Sequence, residues 1–154
     1  MMTIQFQVLE KGDSQICEKI LRSLPDWFGI ESALQRYIKD SVENPMVVAK
    51  NGDKVLGFCS LLNHGPHSSE IYVMGIFSEY HRQGLGRKII QQAERYLKAN
   101  GFEFLQVKTV DETRENEVYM KTRLFYQSMG FKKLEVFPDL WDEHNPCLLL
   151  VKSL

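Results

Sequence analysis

Apolar and polar residues alternate from Thr3 to Val8, the period-two signature of a half-buried strand. From Asp13 to Arg22 the period lengthens. Ile16, Ile20 and Leu21 fall on one helical face, with Asp13 or Ser14 placed as N-cap. Pro25 and Gly29 interrupt the pattern in Leu24-Pro-Asp-Trp-Phe-Gly-Ile30, and a second helix is expected over Glu31–Val42 with Leu34, Tyr37 and Ile38 inward. Strands follow at Met46–Lys50 and Lys54–Leu62, joined through Asn51-Gly52-Asp53, because Asn-Gly between apolar runs is a strong hairpin signal. Glu70–Phe77 completes this meander as a third strand. The next helix carries Leu85, Ile89, Ala93 and Tyr96 or Leu97 on one stripe, with Lys88, Gln92, Arg95 and Lys98 opposite, and ends at Asn100-Gly101. Phe104–Val110 reads as a strand parallel to its predecessor, since a helix connects them. Glu115–Met129 is the last helix, closed by Gly130. Phe131–Phe137 and Cys147–Lys152 are closing strands, joined by a Pro-, Trp- and acid-rich loop. This order predicts an α/β (α+β) fold with a mixed, mostly antiparallel sheet of about seven strands, four helices and one central β-α-β crossover. Without repeats, low-complexity tracts or linkers, residues 1–154 are expected to form one domain.

Composition narrows the function more than the fold. A hydrophobic content of 44% and a charged content of 25% are those of an ordinary globular chain. A net charge of −1 speaks against nucleic acid or an anionic membrane as the main partner. The start, Met1-Met-Thr-Ile-Gln-Phe, lacks the basic and apolar regions of a signal peptide, and no apolar run nears the roughly 20 residues of a membrane span. A cytoplasmic location is therefore expected. Cys17, Cys59 and Cys147 form no CxxC pair, so neither a disulfide framework nor a zinc site is signalled. Cys59 and Cys147 lie in apolar runs and read as inert core residues. His64 and His67 flank Gly65-Pro66 and read as a solvated turn rather than a ligand pair, so no metal is expected.

The most informative segment is His81-Arg82-Gln83-Gly84-Leu85-Gly86, a basic glycine turn between a buried strand and a helix. Glycines let the backbone approach a ligand, and a helix start offers unpartnered N–H groups to an anion. Alone the turn is weak. It lacks the third glycine of a dinucleotide fingerprint and the Gly-Lys-Ser/Thr of a P-loop, and a plain tight turn accounts for it equally well. Context strengthens it: Arg82 and Arg87 are adjacent, and Gly75 interrupts the strand before it. A bulge at Gly75 would splay that strand from the next and free backbone groups for an extended ligand with amide bonds.

Glu70-Ile-Tyr-Val-Met-Gly-Ile76, His81 to Arg87 and the amphipathic helix after them resemble the acetyl-CoA-binding core of the GNAT N-acetyltransferase superfamily. Phe125-Tyr-Gln-Ser-Met-Gly-Phe131 resembles that family's second signature, and the element order fits over nearly the whole chain. The resemblance implies acetyl-CoA as acyl donor, with no metal. It assigns pyrophosphate contacts to the loop of His81, Arg82, Gln83, Gly84, Leu85, Gly86 and Arg87, where His81 stands in place of the usual Gln or Arg. It assigns strand-like pantetheine contacts to Met74, Gly75 and Ile76, and a thioester-polarising role to the Ile76 amide. Tyr126 matches the tyrosine placed near the coenzyme sulfur, as proton donor to the leaving thiolate. Tyr119 stands where the family often has Asn, with Asn116 one helical turn away as a substitute coenzyme contact.

Glu70 resembles the general-base glutamate of some branches; a structural carboxylate is the other reading. Trp27-Phe28, between the first two helices, and Trp141, among the acids of Asp139-Leu-Trp-Asp-Glu143, are candidates for the acceptor pocket, since aromatics and carboxylates suit a cationic amine. A solvated acidic loop with a packing tryptophan explains Trp141 as well. The expected activity is direct N-acetyl transfer from acetyl-CoA to a primary amine of a small molecule or peptide. The alternative is a non-catalytic acyl-CoA-binding sensor or interaction module of the same fold. The terminal strands offer an edge through which a homodimer could form.

Overall fold

The computed structural model describes residues 2–154. Its elements run β1 (Ile4–Leu9), α1 (Ser14–Arg22), α2 (Glu31–Ser41), β2 (Met46–Asn51), β3 (Lys54–His64), β4 (Ser68–Ile76), α3 (Leu85–Ala99), β5 (Phe104–Val110), α4 (Glu117–Ser128), β6 (Lys132–Asp142) and β7 (Asn145–Ser153), with a 3₁₀ turn at Ser78–Tyr80. The seven strands form one sheet in the order β1-β2-β3-β4-β5-β7-β6, antiparallel except for β4 and β5. The expected crossover is thus present, carried by α3. No helix of the described residues is long and apolar enough to cross a membrane.

Helices cover both faces of the sheet, and strand composition follows from that. Met46, Val47, Val48 and Ala49 are all fully buried. Val47 and Ala49 pack with Ile89, Ala93 and Leu97 of α3, while Met46 and Val48 pack with Cys17, Ile20 and Leu21 of α1. A strand covered on both sides needs an unbroken apolar run, not alternation. Asp13 caps α1 as expected, its Oδ1 accepting from Gln15 N at 2.8 Å and Ile16 N at 3.2 Å. Arg22, at the end of α1, holds both carboxylate oxygens of Glu31 at the start of α2, at 3.1 and 3.0 Å.

Two expectations are corrected here. The bulge in β4 falls at Tyr72, not at Gly75: Ser60 pairs with Val73 and Leu61 with Ile71, leaving Tyr72 as the extra residue. Gly75 pairs regularly with Phe58, and its small size serves packing instead. A Cβ there would meet Ile20 Cγ2 at 2.9 Å and Leu24 Cδ1 at 3.2 Å, so only glycine lets α1 lie this close. The acid-rich stretch before β7 is not a loop either. β6 runs on through Pro138–Trp141 to Asp142 and turns back at Glu143-His144, forming a long arm with an irregular register between Phe137 and Asp142. Asp142 closes that turn by accepting from His144 N at 2.8 Å and from Asn145 Nδ2 at 3.0 Å.

Candidate active site

The site is organised by a divergence in the middle of the sheet. β4 and β5 pair only from Ser68↔Phe104 to Ile71↔Val107, although both strands continue. Tyr72, the bulged residue, comes immediately after the last rung, where an extra residue bends its strand most effectively. Beyond it the Phe77 amide donates to Leu56 O on β3 at 3.1 Å. Antiparallel pairing alternates, so Gly75 faces β3 while the amides of Met74 and Ile76 project away from it, into the cleft that β5 has left. The splay expected from Gly75 therefore exists, with a different residue causing it.

At its far end β4 leads into the glycine loop. Arg82 has φ 61° and Gly84 φ 76°, both left-handed, and Gly84 serves as N-cap of α3. Left-handed backbone costs a non-glycine residue about 1–2 kcal/mol, so Arg82 is held there by the loop. The first helical amide to find a carbonyl is that of Lys88, on Gly84 at 3.2 Å. Those of Leu85, Gly86 and Arg87 precede it and open outward, as in any first helical turn. No acidic residue lies in that turn. Alternating left-handed turns feeding a helix N-terminus form an anion-binding concavity. The His81 ring is turned inward: its Nε2 lies 2.6 Å from Ile76 O, tying the loop back to the end of β4. Trp27 meets His81 edge-on, with ring centroids 5.9 Å apart. The Arg87 guanidinium donates to Ser128 Oγ at 3.2 Å and so links α3 to α4.

Near the vertex of the divergence the polar groups are side chains. Glu70 is buried, with 4% exposure. Its Oε1 lies 2.6 Å from His64 Nε2 and accepts from Lys108 Nζ at 3.0 Å. Lys108 is the first β5 residue beyond the last rung. Tyr37 of α2 packs edge-on against Tyr72 at 5.3 Å and Phe28 at 6.1 Å. Tyr72 donates its hydroxyl to Asp40 Oδ2 at 2.5 Å, which ties the bulge to α2. Burial raises the phenols of Tyr37 and Tyr72, with the Asp40 contact adding to the effect on Tyr72.

Tyr126 lies in the core on the opposite face, edge-on to Phe131 at 5.6 Å and beside Phe125. Burial, and then the nearby Cys59, raise its phenol well above the ordinary value, so it stays protonated. Asn116 caps α4, its Oδ1 accepting from Tyr119 N at 3.2 Å, and the Tyr119 ring carries the Arg114 guanidinium at 5.5 Å. Burial pushes the Cys17 and Cys147 thiols up to about 11 and that of Cys59 up to about 12. None is ionised near neutrality, so none is prepared as a nucleophile.

The structure thus brings Met74, Gly75, Ile76 and the loop from His81 to Arg87 together along one edge, with Trp27 beside the loop. Phe28 belongs to the aromatic cluster with Tyr37 and Tyr72 instead. Trp141 stands apart, exposed on β6, three strands from β4. His64 and Lys108 are the residues that sequence reasoning missed. His64 is the last residue of β3 and His67 lies in the turn; both are exposed as expected, but His64 sets its ring on Glu70 while His67 pairs with Glu103 at 3.0 Å. A signal existed for Lys108: Gln106 and Lys108 are polar at alternate positions of a strand whose other residues, Thr109 apart, are apolar.

Comparison with known proteins decides the family. The sequence pattern of the acetyltransferase (GNAT) domain family matches residues 43–133, more than half of the chain. The chain belongs to the GNAT acetyltransferase family. An uncharacterized N-acetyltransferase from Chlorobaculum tepidum is 26% identical over 121 residues, covering 74% of this chain and 70% of that protein. Among solved structures, a protein assigned to the GNAT family from Desulfovibrio desulfuricans superposes with a TM-score of 0.81 at 15% identity, covering 98% of this chain and 99% of that one. A GNAT acetyltransferase from Elizabethkingia anophelis, solved with acetyl-CoA bound, gives 0.73 at 16% identity, covering 98% of each chain. At such identities the structural likeness speaks for the GNAT fold alone. The seven-stranded, mostly antiparallel sheet with its four helices is that fold.

Proposed function

We propose that this chain transfers the acetyl group of acetyl-CoA directly to a primary amine of a small molecule or peptide. The observation that carries the reading is the divergence of β4 from β5. It leaves a strand edge with outward amides, ending in a left-handed anion cradle and beginning at a buried carboxylate. A long ligand with an anionic end, amide groups along its length and a reactive tip matches that sequence of features. In this reading the amides from Arg82 to Arg87 hold the pyrophosphate, and Met74 and Ile76 pair with the pantetheine amides. His81 acts through its backbone and by fixing the loop, since its ring is committed to Ile76 O.

Glu70 accepts a proton from the incoming ammonium. The free amine then attacks the thioester carbon, the N–C bond forms, the C–S bond breaks, and the sulfur leaves with the bonding pair. The neutral Tyr126 hydroxyl donates a hydrogen bond to that sulfur, and the proton shed by the acylated nitrogen passes to the sulfur through that hydroxyl, so that the amide is neutral and CoA leaves as the thiol. Distance reassigns one role. Glu70 and Ile76 are six residues apart, roughly 20 Å along an extended strand, too far for a base and a carbonyl-polarising amide to meet at one reaction centre. Met74, four residues from Glu70 and roughly 13 Å away along the strand, is the nearer outward amide, and water between the bound amine and Glu70 would bridge the rest. Asn116, Tyr119, Trp27, Phe28 and Trp141 have no step assigned to them here.

Calorimetry with acetyl-CoA, CoA and ATP, followed by an acetyl-CoA consumption screen against an amine library, tests the proposal. The expected result is binding of both CoA species, no binding of ATP, and turnover with at least one amine. Tyr126→Phe, which removes a hydrogen bond to a charged sulfur worth about 1.5–3 kcal/mol, should lower that turnover roughly ten- to a hundredfold. ATP binding without CoA binding overturns it. CoA binding with no turnover of any amine favours the acyl-CoA-binding module instead.

A further inference from the structure

Glu70 is buried, yet an acid–base group must exchange its proton with solvent once per turnover. Its neighbours show how. Both contacts to the carboxylate fall on Oε1: Lys108 Nζ at 3.0 Å and His64 Nε2 at 2.6 Å. No hydrogen-bond partner is recorded for Oε2 among the described residues, so Oε2 is the oxygen open to an incoming ammonium. The other groups that face the carboxylate cannot carry its proton out. Tyr37 of α2 and Cys147 of β7 lie close enough to act on it electrostatically, but burial raises both, and each already holds its own proton near neutrality. Lys108 is a donor with no acceptor capacity while charged. Asp40 is engaged by Tyr72. His64 differs in two respects. It touches the carboxylate at one ring nitrogen, and its side chain is 40% exposed while that of Glu70 is 5% exposed. It stands at the end of β3, just before the Gly65-Pro66 turn.

We propose that His64 is the proton exit of the site, relaying to water the proton that Glu70 takes from the acceptor. This rests on the reading of Glu70 as base. At 2.6 Å from a carboxylate oxygen, Nε2 carries the ring proton and donates it to Oε1, which leaves the Nδ1 lone pair free. When the acceptor's proton arrives on Oε2, Glu70 becomes neutral and the part-exposed ring turns over, presenting the Nδ1 lone pair to the carboxyl. Nδ1 takes that proton, Nε2 releases its own to water, and the ring is left neutral with Nδ1–H donating to the carboxylate regenerated against Lys108. Imidazole suits the task because one ring nitrogen can take a proton while the other gives one up. Lys108 is a positioning residue in this scheme. It holds the carboxylate at the vertex of the divergence between one exit and one entrance.

The test uses the full chain, acetyl-CoA and the amine turned over fastest in the library screen, with Glu70→Gln, His64→Ala and His64→Gln. His64→Ala should lower turnover about ten- to a hundredfold, within the range that proton-transfer groups contribute, while acetyl-CoA affinity stays at the wild-type value. Imidazole added to the buffer should restore turnover of His64→Ala in proportion to its concentration and leave the wild type and Glu70→Gln unaffected. His64→Gln keeps a hydrogen-bond donor beside Glu70 but cannot relay, so it should be slow as well. Wild-type turnover in His64→Gln, or loss in His64→Ala that imidazole does not restore, overturns the relay and assigns His64 to structure. If Glu70→Gln is inactive while both His64 variants are unimpaired, the relay fails and the base stands. If Glu70→Gln turns over normally, or if no amine is acetylated at all, the base reading fails and the relay with it.

Discussion

At its C-terminal end β4 and the loop after it offer a ligand main-chain groups: the outward amides of Met74 and Ile76, the left-handed turns at Arg82 and Gly84, and the first turn of α3. At its N-terminal end the polar groups are side chains drawn from three strands, namely His64, Glu70 and Lys108, with Tyr37 and the Tyr72–Asp40 pair supplied by α2 and the bulge. A main-chain site recognises what every member of a family shares, because any sequence that keeps the loop conformation presents the same amides. A side-chain site can change with single substitutions. The contrast explains why the donor is readable from this chain and the acceptor is not.

The comparison breaks most visibly at Gly84. Gly84→Val places a β-branched residue at φ 76° and should weaken acetyl-CoA binding roughly a hundredfold or more, read by calorimetry, as the cradle loses its shape. The side-chain end should respond in stability instead. Lys108→Met leaves the Glu70 carboxylate buried with His64 as its remaining partner. Removing one member of a buried pair costs about 3–5 kcal/mol, and the partial exposure of Lys108 places the expected loss, read by chemical denaturation, at about 2–3 kcal/mol. Gly75→Ala sharpens the distinction further. Its new Cβ would press on Ile20 and Leu24, so it should cost about 1–3 kcal/mol of stability and leave acetyl-CoA affinity nearly unchanged. Loss of affinity without loss of stability would return Gly75 to the coenzyme site.

The smallest effect is a pH dependence common to both ends. The three buried thiols have folded pKa values of about 11 to 12, above the ordinary value of about 8.5 for an unfolded chain. The folded state therefore holds these protons more tightly. Their contribution is complete below pH 8.5 and is lost as pH rises toward 11 and 12. Thermal melts should show a decline in Tm above about pH 9, and the folded protein should resist thiol alkylation at pH 7. Rapid alkylation at pH 7 would contradict the burial of all three.

The helices, the meander and the crossover were legible because each is written locally, as a period or as a turn dipeptide such as Asn51-Gly52. The anion loop was legible for the same reason: its residues are consecutive. The Glu70 cluster was not, because His64 and Lys108 lie 6 and 38 residues from Glu70 and meet it only through strand register. The bulge escaped because the extra residue is Tyr72, with no glycine to mark it. The β6 arm was mistaken for a loop because Pro138 and the acids around Trp141 read as turn chemistry. An edge strand tolerates them, since only one side of its backbone needs a partner.

The central claim is that one strand binds the donor with one end and activates the acceptor with the other. Glu70→Gln tests it most directly, with acetyl-CoA affinity and amine turnover measured on the same preparation. Turnover reduced roughly 10²- to 10⁴-fold at unchanged acetyl-CoA affinity is the predicted result. Undiminished turnover, or an affinity that falls in step with turnover, would contradict it.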